Sequence, residues 1–383
     1  MRRSHSVTRL SAVLITILSL VAAALVTLAA PVTASAAAPR IKVNRIVSGL
    51  SNPWDVTWVG STMLFDQRSG GVWSKRGTAA PRRVSMPLPR IYAVGEAGMM
   101  GIVADPGAAR NRIFYTCMAV GVSARQPKGV EVWKWRLDSR ATRATKVQVL
   151  LTGIPLNDTG RHSGCRLRFR STTMLYVSTG DATGGTNPQN LQSLGGKVLR
   201  VRSDGSIPTT NPFYSRGRNA RYVYSFGHRN VQGLARRPGS AEMWSVEQGT
   251  SRDDEVNRVF RGDNYGWNPA PGYDESHAMT DTRRHPGATS AKWRSGSPTV
   301  ATCGATFLSG SRWQSWNGVL AVAMLKGQGV KLMFIDRSGK IYKTQNILRS
   351  YGRIRTVQQG PDGALYFTTS KGSDDGIYQV TAG

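Results

Sequence analysis

The 383-residue sequence predicts an all-β protein folded as a six-bladed β-propeller, and three observations lead to that prediction. One pattern recurs six times at intervals of roughly 50–60 residues, a period typical of propellers and solenoids. Helical periodicity is nearly absent beyond about residue 40. The 42 Gly, 10 Trp and 12 Tyr residues favour strands that are joined by tight turns. A pair of β-sandwiches is the alternative that this pattern leaves open.

Each repeat consists of a small or apolar strand, a turn, and a second strand in which aromatic residues alternate with others. Clear examples are residues 101–106 followed by 113–115, and residues 356–358 followed by 365–367. In the latter repeat, Pro-Asp-Gly at 361–363 supplies the residues that a hairpin turn requires. No linker divides the rest of the chain, so we expect residues 39–383 to form one closed propeller domain.

The first 38 residues are typical of an export signal rather than of a folded domain. Arg2, Arg3 and Arg9 form a basic start, residues 10–30 carry no charge, and Ala-Ser-Ala follows at 34–36. We therefore expect residues 1–38 to be a signal peptide and the mature protein to be secreted. The apolar run is longer than the usual span of about 7–15 residues. An uncleaved membrane anchor is therefore the alternative.

The chain is strongly basic, with 51 Lys and Arg residues against 22 Asp and Glu and a formal net charge of +29. Such a balance attracts anions, including nucleic acid, acidic polysaccharide and anionic cofactors. No helix-turn-helix, zinc-finger or RNA-binding signature accompanies it, and the arginines are spread along the chain. We therefore expect a basic surface on an exported protein and no nucleic-acid partner.

The three cysteines are Cys117, Cys165 and Cys303. In an oxidising compartment an odd number predicts one disulfide and one free thiol. Their spacing does not assign the pair, but we favour Cys117 with Cys165 because each lies near a predicted neighbouring strand. No Cys/His cluster has the spacing of a zinc site, so a structural zinc ion is not expected.

Polar residues and glycines are concentrated in strand-end loops, where functional residues of rigid scaffolds usually lie. In a propeller such loops meet at one end of the channel, so residues distant in sequence converge. His162 lies in the loop before the strand at 165–169. Imidazole is a common general base because it exchanges a proton near neutral pH. A loop histidine that only bonds a neighbouring carbonyl is the alternative.

The run from residue 224 to 269 closely resembles the glucose/sorbosone dehydrogenase family, whose members are soluble sugar dehydrogenases that use pyrroloquinoline quinone (PQQ) and calcium. The resemblance extends over residues 45–380. It implies that the protein oxidises an aldose-type sugar to its lactone, with hydride passing to PQQ and electrons leaving to an external acceptor. His162 matches the family's base, and Arg229 and Asn230 match the pair at the reactive carbonyl of the quinone.

The resemblance also implies the remaining cofactor contacts. PQQ carries three carboxylates, and Lys326, Arg353 and Arg355 stand where the family binds them. Arg353 and Arg355 are two residues apart, so on a regular strand they face the same side. Glu96 lies in the loop where the glucose enzymes offer a glutamine to the cofactor, and we expect it to bind the cofactor, the sugar or a metal.

For calcium, the family uses two backbone carbonyl ligands at a motif that matches residues 248–255. Gly249 and Thr250 would supply these carbonyls, since a threonine in place of the family's proline keeps its oxygen. The acidic residues at 253–255 could instead pair with Arg252 and Arg258 in a surface network.

The sequence departs from the best-studied glucose enzymes beside the predicted base. Those enzymes have the sequence Asp-His at this point, whereas this chain has Arg161-His162. A carboxylate beside the imidazole would increase its basicity, and an inward-pointing guanidinium would do the opposite. This difference affects the expected rate and substrate more than cofactor binding.

Two other functions remain open. One is a non-catalytic secreted propeller that binds an acidic cell-wall polymer or a protein through its basic surface, since fold alone does not establish activity. The other is a metal-dependent lactonase-type propeller, for which Glu96, Asp181 and Glu247 could supply side-chain ligands.

Overall fold

The computed structural model describes residues 37–383, which contain 24 strands in six four-stranded antiparallel sheets. Each sheet is one blade of a six-bladed β-propeller, as the sixfold repeat predicts, and the alternative of two sandwiches is wrong. The predicted export signal lies outside the described residues, apart from its last two positions. Within residues 37–383, no helix is long and apolar enough to cross a membrane.

The strands follow chain order within the blades, except that the first strand, β1 (Ile41–Leu50), belongs to the last blade. Blade I contains β2 (Pro53–Val59), β3 (Thr62–Gln67), β4 (Val72–Lys75) and β5 (Arg82–Arg83). Blade II contains β6 (Met99–Ala104), β7 (Ile113–Gly121), β8 (Pro127–Leu137) and β9 (Ala144–Ile154). Blade III contains β10 (Leu167–Phe169), β11 (Met174–Ser178), β12 (Lys197–Arg202) and β13 (Val223–Phe226).

Blade IV contains β14 (Val231–Arg236), β15 (Met243–Glu247), β16 (Glu255–Val259) and β17 (Trp293–Arg294). Blade V contains β18 (Thr302–Phe307), β19 (Leu320–Met324), β20 (Val330–Ile335) and β21 (Ile341–Ile347). Blade VI contains β22 (Ile354–Gln359), β23 (Leu365–Thr369) and β24 (Asp375–Ala382), and β1 completes it. The described helical segments are short: α1 (Ala108–Asn111) and 3-10 turns at Tyr214–Arg216, Arg218–Tyr222, Ser311–Trp316 and Arg349–Tyr351.

The first strands of neighbouring blades contact one another and form the wall of the central channel. Small residues allow this close approach. A Cβ at Gly101 in β6 would lie 2.8 Å from the carbonyl oxygen of Cys165, and a Cβ at Gly233 in β14 would overlap the carbonyl oxygen of Cys303. The small residues that open the repeats are therefore required by the packing of inner strands.

The core lies between the faces of adjacent blades. Between blades II and III, Tyr115, Val132, Leu175 and Leu199 belong to one cluster of buried side chains. These residues are β-branched, aromatic or leucine, and they alternate along strands whose other face packs on the next blade. Both faces of most strands are buried, which explains why long runs such as β7 contain no exposed residue.

An ion cluster lies inside the channel. Asp55 in β2 forms an ion pair with Arg166 Nη1 at 2.6 Å and accepts a hydrogen bond from Arg168 Nη1 at 3.2 Å. Arg168 lies in β10 of blade III, and Arg166 directly precedes that strand. All three side chains are buried. Burial alone would raise the pKa of Asp55, but the two guanidinium charges outweigh it and hold that pKa below its usual range. This cluster therefore links blade I to blade III across the channel.

The cysteines pair as the sequence analysis favoured. Cys117 in β7 forms a disulfide with Cys165, which lies just before β10, and Cys303 in β18 is a buried free thiol. The disulfide therefore joins blade II to the loop that leads into blade III, three residues after His162.

Candidate active site at one end of the channel

The predicted site residues lie in loops at one end of the channel. In antiparallel blades, the start of each first strand and the end of each second strand are at the same end. The loops before first strands carry Glu96, His162, Arg229, Asn230 and Arg353, Arg355 lies in β22, and the loops after second strands carry Gly249, Thr250 and Lys326. We call this end of the channel the site end.

His162 is held by a buried carboxylate. Its Nδ1 lies 2.9 Å from Asp181 Oδ1, and Asp181 is fully buried at the end of β11. The other oxygen, Oδ2, accepts hydrogen bonds from Trp267 Nε1 at 2.8 Å and Tyr273 Oη at 2.7 Å. A carboxylate facing Nδ1 favours the tautomer that carries its proton there. The Nε2 lone pair of His162 is then free to accept a proton, and no described residue hydrogen-bonds to it.

The backbone around His162 explains how it reaches this position. His162 has a left-handed conformation with φ of 54°, and its carbonyl accepts a hydrogen bond from the amide of Ala182 at 3.1 Å. A Cβ at Gly180 would overlap that carbonyl oxygen. Glycine at 180 is therefore required for the loop before β10 to pack against the end of β11.

Arg229 is a fixed and largely buried cation. Its backbone amide donates to Glu247 Oε2 at 3.0 Å, its Nη1 donates to the carbonyl of Gln248 at 3.1 Å, and its Nη2 pairs with Glu275. The guanidinium also lies 5.7 Å from the centre of the Trp267 ring. Its Nε is buried and has no hydrogen-bond partner among the described residues. Arg229 thus keeps an unused donor at the site end.

A second buried network supports Arg229 from behind. His228 Nδ1 lies 2.9 Å from Glu247 Oε1, and Asn257 Nδ2 donates to the same oxygen at 3.0 Å. Asn257 also reaches Glu255 Oε2 at 3.4 Å. Burial, followed by the charge of Glu247, raises the pKa of Glu255 to about 8. Glu255 therefore binds a proton more readily than an ordinary glutamate, and Glu247 accepts the hydrogen bond that fixes the Arg229 backbone.

Glu96 connects three blades through amide groups. Its Oε1 accepts hydrogen bonds from the Ser163 amide at 2.7 Å and Asn230 Nδ2 at 3.1 Å, and its Oε2 accepts one from Gln232 Nε2 at 3.1 Å. Gln232 Oε1 in turn lies 3.4 Å from Arg355 Nη1. Neutral amides therefore hold the Glu96 carboxylate in place beside the loop that carries His162.

Arg355 belongs to the same network and is buried. Its guanidinium stacks on Trp54, 3.9 Å from the ring centre, and its Nη1 lies 3.2 Å from Cys303 Sγ. Like Arg229, it has a buried Nε with no hydrogen-bond partner among residues 37–383. Stacking fixes the plane of the guanidinium and leaves this donor free.

Two of the predicted cations are exposed instead. Lys326 is exposed in the loop after β19, and Arg353 is exposed with its Nε donating to the Ser370 carbonyl at 3.1 Å. β22 begins only at Ile354, and its pairing register shifts before Thr356. The prediction that Arg353 and Arg355 face the same side of a regular strand is therefore wrong. Arg353 is exposed and Arg355 is buried.

The predicted calcium loop is a tight turn built on glycine. The amide of Gly249 donates to Asp254 Oδ1 at 2.9 Å, and Asp254 Oδ2 accepts from the Val300 amide at 2.8 Å. Burial raises the pKa of Asp254. A Cβ at Gly249 would overlap the carbonyl oxygens of Arg252 and Asp253, so backbone oxygens crowd this turn. The loop is therefore rich in the hard oxygen donors that calcium prefers.

The side-chain metal site of the lactonase alternative is not formed. Glu96 is bound by amides, Asp181 by His162 and its neighbours, and Glu247 by His228, each in a separate network. Within the described part of the chain, no group of three His, Cys, Asp or Glu residues is placed to hold a metal ion.

Comparison with known proteins identifies the family. The sequence profile of the glucose/sorbosone dehydrogenases matches residues 50–379, which include strands of all six blades. The chain belongs to the glucose/sorbosone dehydrogenase family. The resemblance found in the sequence is thereby confirmed, and membership makes the chain a sugar dehydrogenase, an oxidoreductase.

Individual members of the family agree in sequence and in structure. The aldose sugar dehydrogenase YliI of Escherichia coli is 30% identical over 353 residues, which are 89% of this chain and 93% of that protein. The crystal structure of the soluble aldose sugar dehydrogenase from Escherichia coli, in its apo form, matches 90% of this chain and 100% of its own with a TM-score of 0.81 and 27% identity. The PQQ-bound aldose sugar dehydrogenase from Streptomyces coelicolor matches 91% and 100% with a TM-score of 0.74 and 27% identity.

Four residues of this dehydrogenase site lie outside the motifs that indicate it in the sequence. Asp181 is a candidate metal ligand there, and the sequence gives no role to Trp267, Tyr273 and Glu275. The last two lie in residues 268–290, an irregular stretch between β16 and β17 that we call the mouth segment. Its length was the available signal, since long irregular loops in compact domains are usually functional.

Proposed function

We propose that this family member is a PQQ-dependent dehydrogenase that oxidises an aldose-type sugar at its anomeric carbon and gives the lactone. The observation that carries the proposal is the pair His162–Asp181, whose free Nε2 lies at the end of the channel where Arg229 is held. This arrangement suits proton removal from a hydroxyl group next to a site where negative charge develops.

The residues present fit a flat anionic cofactor. Arg229 and Arg355 each keep a buried Nε without a partner in the described chain, and such donors are costly unless a ligand satisfies them. Lys326 and Arg353 add exposed cations at the same end. These four residues would hold the carboxylates and the quinone oxygens of PQQ, while Asn230, fixed by Glu96, would position the ring. The PQQ-bound relative supports this choice of cofactor.

Each of these residues has a separate role in the proposed reaction. His162 Nε2 takes the proton of the sugar hydroxyl, and Asp181 stabilises the imidazolium that forms. Trp267 and Tyr273 keep the Asp181 carboxylate in one orientation through their hydrogen bonds to Oδ2. Arg229 supplies fixed positive charge beside the reacting groups. Bound PQQ would supply the hydride acceptor, and an external acceptor would then remove the electrons.

Calcium is part of the proposal. The carbonyls of Gly249 and Thr250 would be the protein ligands, since the turn at residues 249–254 is crowded with backbone oxygens. We also propose that the protein is exported by its first 38 residues. The basic start, the uncharged run at residues 10–30 and Ala-Ser-Ala at 34–36 support this proposal.

The test is a titration of purified apo-protein with PQQ, with and without calcium, followed by dye reduction over a panel of sugars. Stoichiometric calcium-dependent binding and sugar-driven dye reduction support the proposal. His162→Ala should bind PQQ normally and lose turnover, and full activity in this variant would remove the proposed base.

The alternative of a non-catalytic binding propeller, which the net charge left open, is wrong because the chain belongs to a family of sugar dehydrogenases.

A further inference from the structure

We infer that Glu275 is a positioning residue: its carboxylate holds Arg229 and Arg161 at the mouth of the site and offsets their charges so that His162 can accept a proton. The inference rests on the proposed function, since it concerns the base of that reaction.

The geometry places one oxygen of Glu275 between two guanidinium groups. Its Oε1 pairs with Nη2 of Arg229 and accepts a hydrogen bond from Nη2 of Arg161 at 3.1 Å. The side chain of Arg229 is 5% exposed, that of Glu275 is 39% exposed, and that of Arg161 is 53% exposed. The mouth segment therefore carries a carboxylate from blade IV to the loop of blade III that holds the base.

This contact also decides how Arg229 presents its donors. Glu275 accepts from Nη2 and the Gln248 carbonyl accepts from Nη1, while Nε keeps a hydrogen with no acceptor among the described residues. A guanidinium held by two acceptors loses little further freedom when a ligand binds. Glu275 thereby fixes the orientation in which Arg229 meets an anion.

The charges around His162 show why a carboxylate is needed here. Asp181 faces its Nδ1, Arg161 precedes it, and Glu96 lies behind the next residue through the Ser163 amide. The mouth segment contributes the hydroxyl of Tyr273, which contacts His162 Nδ1, and the carboxylate of Glu275, which pairs with Arg229. Burial and the Asp181 charge raise the pKa of Tyr273, so this phenol stays neutral.

Glu275 is ionised in this setting. Partial burial opposes its charge, but the hydrogen bond and charge of Arg229, with the charges of Arg161 and His162, hold the pKa of Glu275 below its ordinary value. Without it, two guanidiniums near the imidazole would oppose imidazolium formation.

The first test needs neither cofactor nor sugar. The protonation of the His162 ring is followed by NMR in the cofactor-free protein, with His162→Gln to assign the signal. In Glu275→Gln, which keeps an oxygen acceptor and loses the charge, the midpoint should move down by roughly half a pH unit to one unit. The control is Asp274→Asn, which removes the neighbouring carboxylate. That carboxylate pairs with His277 at 3.5 Å and accepts a hydrogen bond from the Ser276 amide at 2.9 Å. An unchanged midpoint in Glu275→Gln would overturn the inference.

Arg161→Gln provides the opposite change at an exposed position that should not affect folding. Removal of this cation should move the midpoint up, and a shift in the same direction as Glu275→Gln would contradict the charge balance we infer. In the PQQ-loaded protein, the acid limb of the pH profile of kcat/KM should follow the NMR midpoints. If no variant or wild type oxidises sugar, the proposed function fails, while the NMR result still decides the role of Glu275.

Discussion

His162 Nδ1 lies 2.9 Å from Asp181 Oδ1, and the two residues belong to loops at the same end of blade III. Asp181 receives two further hydrogen bonds from the blade IV loop region, through Trp267 and Tyr273. The Thr183 amide donates a third hydrogen bond at 2.9 Å, so the orientation of the proposed base depends on a carboxylate that three other groups hold in place.

Replacing that carboxylate should impair turnover without impairing cofactor binding. In Asp181→Asn the shape is kept, but the imidazolium loses its counter-charge, so kcat should fall about 10²- to 10⁴-fold. Steady-state kinetics of the PQQ-loaded protein measures this fall, and PQQ titration provides the control. A kcat within twofold of wild type would show that Asp181 does not support the base.

The contact of Gly180 with the His162 carbonyl predicts a strong effect of a single methyl group. Gly180→Ala should displace the loop before β10, which costs about 1–3 kcal/mol of stability and lowers activity. Gly287→Ala is the matched control, because no atom lies within 4 Å of a Cβ at that position. Chemical unfolding and dye reduction are measured on both variants. Equal stability of the two would contradict the packing argument.

The ion cluster in the channel should be a large contributor to stability once formed. Asp55→Ala leaves Arg166 and Arg168 buried without their carboxylate, and breaking a buried pair in this way costs about 3–5 kcal/mol. Denaturant unfolding of the variant checks this value. Asp158→Asn at an exposed position serves as the control and should unfold like wild type.

The disulfide should stabilise the protein chiefly by restricting the unfolded chain. Its cysteines are 48 residues apart in sequence, and closing a loop of that length contributes about 4 kcal/mol in the chain-entropy treatment. Cys117→Ser should lower the free energy of unfolding by an amount of that order. Thiol titration of unfolded wild type should find one free thiol, from Cys303. Three reactive thiols under non-reducing conditions would show that the bond does not form.

Glu255 should make stability fall as the pH rises towards neutrality. Burial and the charge of Glu247 raise its pKa in the folded state to about 8, above the ordinary value of 4.5. The folded protein therefore binds the proton more tightly, and this contribution is complete below pH 4.5 and is lost as the pH rises to about 8. The slope is at most about 1.4 kcal/mol per pH unit. Unfolding between pH 5 and 7 should show a smaller slope in Glu255→Gln, and an unchanged slope would rule out Glu255 as the source.

The blades were predictable because their signal is repeated along the chain. Each first strand was marked by small residues such as Gly101 and Gly233, and each second strand by aromatic residues such as Tyr115 and Phe367. The residue types of the strands and the repeat both indicate a blade in each of six copies. The propeller prediction therefore does not depend on every copy being regular. The positions of His162, Arg229 and Asn230 followed from family motifs that lie at strand ends.

The partners of these residues were harder to predict. Tyr273 lies 92 residues from Asp181 in sequence, and Glu275 lies 114 residues from Arg161. The mouth segment has neither helical nor strand periodicity, so no pattern indicates which of its side chains turn towards the channel. The contrast between Arg353 and Arg355 depends on where β22 begins, and strand ends are the least predictable part of a strand.

The first and last strands of the propeller domain pair within blade VI, so the ring is closed inside one blade rather than at a boundary between two blades. β1 pairs with β24 from Ile41–Ala382 to Leu50–Asp375, and the Gly383 amide donates to the Arg40 carbonyl at 3.0 Å. The two ends of the propeller domain therefore meet, so a short linker could join them and new termini could be opened in a surface turn of another blade. Such a circular permutant would keep every strand pair and would carry the same site on a different chain order.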